Sequence, residues 1–290
     1  MNNEPSIDPH ENPHVLESPT RPMYWSVRRE LWENRSVYLA PLFVAVFVLF
    51  ACFLATLAIG SRKAHNTTPI GMAPAPIMMT TILVGFFYCL DALYGERRDR
   101  SILFWKSLPV SDRTTVLSKA SIPLVMLPLI GFVLSIVTQL LLLPVTLAVS
   151  LANGASAARV WNALPEPLVM IYGLTVHALW FAPIYCWLLL VSGWAKRAPI
   201  MWALLPPLAI SAFERIAFKS NSFMYMLQYR MTGAMKEAFR PRTGDKSGVI
   251  GLSQLDPLNF LLTPGLWVGL FFAAGCLVAA IRLRGKREPI

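Results

Sequence analysis

Long uncharged apolar runs alternate with short charged segments along the chain, and this alternation sets the expected elements. The first run, Tyr38 to Ile59, holds 22 residues, enough to cross a hydrocarbon core of about 30 Å at about 1.5 Å per residue. Further runs predict spans at about 77–93, 120–143, 168–194, 199–213 and 258–281. The third lies within Ala120 to Leu151, where Pro123, Pro128 and Pro144 predict kinks or a shallow re-entry at one end. The fifth is short and contains Pro206-Pro207, so it is expected either to break or to continue past Glu214 and Arg215. The pattern predicts an all-α integral membrane protein with six transmembrane helices, forming a single domain over residues 20–290.

The connecting segments carry their own signals. Residues 1–19 hold Pro5, Pro9, Pro13 and Pro19 among acidic residues and Asn, the composition of a disordered tail. This start is unlike a signal peptide, so the first span is expected to remain in the protein. From Pro22 to Val37, Trp25, Arg28 or Arg29, and Trp32 recur at helical spacing, which places aromatic and basic groups together at headgroup level. That is either an interfacial helix or a plain membrane-flanking segment. In the 214–257 connection, Phe223, Met226, Leu227, Met231, Ala234, Met235 and Ala238 recur every three or four residues, predicting an amphipathic helix at the interface. Short helices are therefore expected between spans 5 and 6.

Composition agrees with a membrane class. The chain of 290 residues is 55% hydrophobic and 14% charged, against roughly 25% charged in soluble domains. The formal charge of +10 concentrates at span ends, where it reports topology and contact with anionic lipid, not nucleic-acid binding. With both termini cytoplasmic, 16 basic residues fall inside and 10 outside; seven of the 10 lie in the long 214–257 loop, which is expected to be external. Cys52, Cys89, Cys186 and Cys276 sit inside apolar runs without metal-ligand spacing and read as small hydrophobes.

The segment Tyr94 to Lys119 is the densest in charge, with nine charged residues, six of them basic. It predicts a helix, a break at Leu108-Pro109-Val110, and a second helix capped by Ser111 or Asp112. Asp91, just before it, is placed to face headgroups or to pair with Arg97 or Arg98. The pattern Asp91, Glu96, Arg97, Ser101, Phe104, Ser107, Leu108, Pro109, Val110, Ser111, Val116, Lys119 resembles the first cytoplasmic loop of ABC transporter permeases of the type-2 export family. The motif covers under a tenth of the chain, while the six-span pattern extends the resemblance to nearly all of it. The segment from Pro22 also resembles the interfacial helix that precedes span 1 in such permeases.

The resemblance implies a permease subunit whose loop 94–119 docks on a separate ABC ATPase. It implies coupling roles for Glu96, Arg97, Asp99, Arg100, Phe104, Leu108, Pro109, Val110, Ser111 and Lys119. It further implies ATP and Mg on the partner, no cofactor on this chain, a second permease copy (identical or not), and the bacterial inner membrane. No phosphate-binding loop, H-E-x-x-H or G-x-S-x-G occurs in the sequence, so this chain is expected not to be an enzyme. His177, alone in span 4, is either a proton or substrate contact or a neutral imidazole bonded between helices. Gln139 and Thr175, with Thr138, either line a path or join helices. A secondary transporter or channel is the alternative function, though no internal repeat or mid-membrane ion-coupling group supports it.

Overall fold

A computed structural model describes residues 21–59, 69–107, 110–154, 156–162, 164, 167–240 and 251–286. The predicted tail at 1–19 lies outside these residues. Among the described residues, six helices are long and apolar enough to cross a membrane. No strand occurs among the described residues; Phe239 and Leu255 form an isolated antiparallel bridge.

Span 1 is Ser36–Ile59, span 2 Pro74–Ala92, span 4 Pro167–Trp194, span 5 Pro199–Phe218 and span 6 Pro264–Lys286. Span 3 is Leu127–Ala152. It continues without interruption from a helix at Asp112–Ser121 through a π-helical turn at Ile122–Met126. The whole helix of 41 residues is about 60 Å long at about 1.5 Å per residue, twice the hydrocarbon thickness. Pro123 is absorbed in the widened π turn, so the expected re-entry is replaced by a rod that projects beyond the bilayer at one end. Span 5 passes through Pro206-Pro207 as one helix to Phe218.

Span 4 is the hub, packing on spans 2, 3, 5 and 6. Half of its most apolar window is buried, against 6% for span 5, which lies at the margin of the bundle. Trp180, Tyr185 and Leu189 of span 4 form the core with Tyr88 and Cys89 of span 2. Apolar surface has no preference for protein over lipid, so close packing must hold the spans together. Gly131 supplies it between spans 3 and 2: a Cβ there would stand 2.8 Å from Thr81 Cγ2. The hydroxyls of Thr81, Ser135, Thr138, Thr146 and Thr175 donate to carbonyls three or four residues back in their own helices. Thr138 and Thr175 thus satisfy themselves locally and do not bond between helices.

The amphipathic segment after span 5 forms two helices, Ser222–Thr232 and Ala234–Ala238, followed by Pro257–Leu262 ahead of span 6. They do not simply rest on the rim. Trp180 donates to the Arg230 carbonyl at 2.8 Å, and the Arg230 guanidinium lies 4.6 Å from the Trp180 ring. Trp180 is 14 residues, about 21 Å, from the far end of span 4. The cap is therefore wedged between spans 4 and 6. Arg230 Nη1 donates to the Gly265 carbonyl at 3.1 Å, and Tyr172 donates to the Ala238 carbonyl at 3.2 Å. Carbonyls in the last turn of a helix lack helical partners and must be paired inside protein at this depth; the bonds to the Arg230 and Ala238 carbonyls do that.

Gly269 makes room for this wedge, since a Cβ there would come within 1.8 Å of Arg230 Nη2 and 2.9 Å of Pro183 Cγ. Gly269→Val is expected to expel the Arg230 side chain, cost about 1–3 kcal/mol of overpacking strain, and expose Arg230 to trypsin. Thermal unfolding with mapped proteolysis checks this; an unchanged digestion pattern would contradict the wedge.

Candidate functional site

The charged segment folds as three short helices at the end of the bundle where span 3 projects. Tyr94–Arg98 follows span 2 directly, Ser101–Ser107 follows it, and Asp112–Ser121 leads into span 3. Arg100, at φ 58, makes the corner between the first two helices. Ser111 is the cap of the third, accepting from the Thr114 backbone at 3.2 Å. Leu108 and Pro109 lie outside the described residues.

The base of this loop is fastened to span 4. The backbone N–H groups of Leu93 and Tyr94 both donate to Ser192 Oγ, at 2.8 and 2.9 Å. Arg97 donates to the carbonyls of Gly193 at 2.7 Å and Ala195 at 3.2 Å. These groups lie at the C-terminal end of span 4, where carbonyls lack helical partners and attract a cation.

Beside it lies a buried ion cluster. Lys119 Nζ reaches Glu30 Oε1 at 2.9 Å and Glu96 Oε1 at 3.1 Å. Arg284 donates through Nη1 to Glu96 Oε2 and through Nε to Asp112 Oδ1 at 3.0 Å. Arg29 pairs with Glu30 at 2.8 Å, and Tyr88 donates to Glu30 Oε2 at 2.9 Å. Glu30, Glu96, Lys119 and Arg284 are each under 10% exposed. Four acids (Glu30, Glu33, Glu96, Asp112) face three bases (Arg29, Lys119, Arg284), with Glu33 at the rim, 3.7 Å from Arg29. One cluster joins the helix Pro22–Glu33, span 2, the loop, the root of span 3 and span 6.

Burial works against the Glu30 carboxylate, but Lys119 and Arg29 outweigh it and hold its pKa below the ordinary 4.5. A carboxylate whose folded pKa is depressed contributes stability in full above the unfolded value. That contribution is lost as pH falls below 4.5 through the lowered folded value. Glu33, shifted upward by burial, changes stability in the opposite sense when protonated. Melting temperatures of wild type and Glu30→Gln are therefore expected to converge below pH 4.5. Curves that stay parallel across that range would contradict the assignment.

The ten loop residues divide sharply. Glu96, Arg97 and Lys119 are buried and turned into the bundle, so their side chains brace the loop from within. Asp99, Arg100 and Ser111 are exposed and Val110 is half-buried. Ile102 is 2% exposed, whereas Leu103 and Phe104, on the other side of the same short helix, are 59% and 60% exposed. Asp91 lies 3.9 Å from Arg98, a loose surface pair; Arg98 bonds more closely to Asp99 at 3.0 Å. In the helix Pro22–Glu33, Arg28 sits over both Trp25 and Trp32, at 5.3 and 4.6 Å, so the predicted aromatic and basic face is present. Glu30 lies on its opposite, buried face.

Gln139, Thr175 and His177 are not joined by any hydrogen bond among the described residues. His177 Nε2 is 3.2 Å from the Tyr185 hydroxyl, and its ring stacks on Phe181 at 4.8 Å. All three belong to span 4, so this imidazole is bonded within its own helix and not between helices. Thr175 is exposed. Gln139 is buried, and its Nε2 has no partner among the described residues.

Sequence reasoning missed Glu30, Asp112, Ser192 and Arg284 as site residues. The available signal was the position of Glu30 in its helix, on the face away from Trp25 and Trp32. No family model, curated protein or solved structure matches the chain.

Proposed function

We propose that the chain is the membrane-spanning permease subunit of an ATP-driven exporter, with its ATP and Mg held on a separate ABC ATPase. The observation that carries this reading is the construction of loop 94–119. It presents an exposed apolar pair, Leu103 and Phe104, between Asp99, Arg100 and Ser111, on a base fixed to spans 2, 3, 4 and 6. A surface of that kind suits a protein partner, because apolar and aromatic residues ringed by polar groups are the usual anchors of an interface.

The mechanism follows from the connections. Force applied at Phe104 passes through the Glu96–Lys119 and Glu96–Arg284 pairs to spans 3 and 6. Arg97 and Ser192 carry it to span 4. The loop thus moves with the bundle as a lever. Two permease copies, alike or different, would tilt against each other and alternate access to a path between them. The side bearing the loop is then cytoplasmic, along with both termini.

The test is purification of the tagged chain in mild detergent, expressed with its neighbouring genes, read by mass spectrometry and ATP hydrolysis. A stoichiometric ABC ATPase with vanadate-sensitive turnover is the expected result. A stable chain that carries out transport without an ATPase partner, and that responds only to an ion gradient, would overturn the proposal.

A further inference from the structure

Spans 4 and 6 meet along small residues: Ala182 and Cys186 on one, Ala273 and Cys276 on the other. Beside that seam, toward the loop end, the two helices leave an open apolar groove of about 590 Å³, within the range of roughly 300–1,000 Å³ typical of small-molecule sites. Trp187, Leu190 and Trp194 line it from span 4, and Gly275, Ala279 and Arg282 from span 6. From Gly275 to Arg282 is about 10 Å along the helix at about 1.5 Å per residue. A Cβ on Gly275 would meet nothing within 4 Å, so no protein group fills that part of the groove.

The groove is apolar along its length and basic at one mouth. Arg282 is exposed there and pairs with no acid among the described residues. Its neighbour Arg284 behaves differently, being committed to Glu96 and Asp112. Lys196 and Arg197, in the turn directly after Trp194, are also exposed and without an acidic partner among the described residues. Trp194 packs edge-on against Trp202 of span 5 at 4.8 Å, which sets an aromatic rim at the level of these cations. Tryptophan and arginine with apolar bodies below and polar tips above mark the headgroup region of a membrane.

We infer that the groove between spans 4 and 6 is a site for an anionic glycerophospholipid of the leaflet at the loop end. One acyl chain lies along Trp187, Gly275 and Ala279, and the phosphate sits at Arg282. The apolar length selects a hydrocarbon chain, and the exposed cation at the mouth selects a negative headgroup over a zwitterionic one. The site does not depend on the transport reading; only the naming of the leaflet as cytoplasmic rests on it.

The test uses the full-length chain, delipidated in detergent and given equal amounts of dioleoyl phosphatidylglycerol and dioleoyl phosphatidylcholine. Retained lipid is read by native mass spectrometry. The wild type is expected to favour phosphatidylglycerol about fivefold, roughly the factor carried by one basic group at a membrane surface. Arg282→Gln should bring that ratio close to one while lipid is still retained. Gly275→Leu should lower retention of both lipids with no change in melting temperature, since the added side chain meets open space. Equal retention by the wild type, or a preference that survives Arg282→Gln, would overturn the site. If Gly275→Leu instead changes the number of chains in the particle, a second copy occupies the groove and the lipid assignment fails. No ATPase is needed for the measurement, so this result and that of the co-purification are independent.

Discussion

Lys119→Met is expected to cost about 3–5 kcal/mol of stability, the range found when one partner of a buried ion pair is removed. The cost does not arise mainly from losing a favourable contact. It arises because Glu30 and Glu96, both under 10% exposed, lose the cation between them and are left with only Arg29 and Arg284 to balance their burial. Unfolding midpoints in a detergent titration measure it. Adding Glu30→Gln to Lys119→Met should recover a substantial part of the loss, because the cluster then holds one buried carboxylate fewer to match the missing cation. A surface pair of the same length would behave otherwise, with a cost of about 0–1 kcal/mol and no rescue. A loss within that smaller range would show that water reaches the cluster.

Leu103→Ala with Phe104→Ala is expected to have the opposite profile. Both side chains are largely exposed, so stability should change little. Association with the proposed ATPase partner should fall by about 30-fold or more, since truncating an interface anchor costs about 2 kcal/mol or more and 1.4 kcal/mol is tenfold. The readout is the amount of ATPase retained on the tagged chain across a dilution series, together with vanadate-sensitive hydrolysis. The pairing of the two experiments matters. Lys119→Met should lower stability in the isolated chain, whereas the double alanine variant should lower association alone. If the alanine variant binds normally, the docking surface lies elsewhere on the loop.

The membrane architecture was legible because it depends on local composition. Apolar length alone locates the spans, and Trp25, Arg28 and Trp32 reveal their shared face through spacing within one helix. Context decided two local signals. Pro206-Pro207 left span 5 either to break or to continue past Glu214 and Arg215, and the helix takes the second course, running on to Phe218. Pro123 looked like a kink, yet a π turn accommodates it in one long rod.

The ion cluster was not legible because its pairs are far apart in sequence. Glu30 and Lys119 are 89 residues apart, and Glu96 and Arg284 are 188 apart. Arg284 counted in the sequence as one more basic residue at a span end, but it is buried and paired while Arg282, two residues before it, is exposed. Glu96, Arg97 and Lys119 stood out in the loop for their charge, and that charge is spent holding the loop in place. The outward-facing pair contained Phe104, which the loop pattern included, and Leu103, which it did not.

We propose that the loop helix Ser101–Ser107 touches an ABC ATPase, and a photo-reactive residue substituted at Phe104 in native membranes tests that contact. Illumination is expected to yield an adduct with an ABC ATPase subunit. The same residue at Phe87, an exposed position within span 2, should give none. Adducts from position 104 only with lipid or with another copy of this chain, in membranes where the protein is active, would contradict the account.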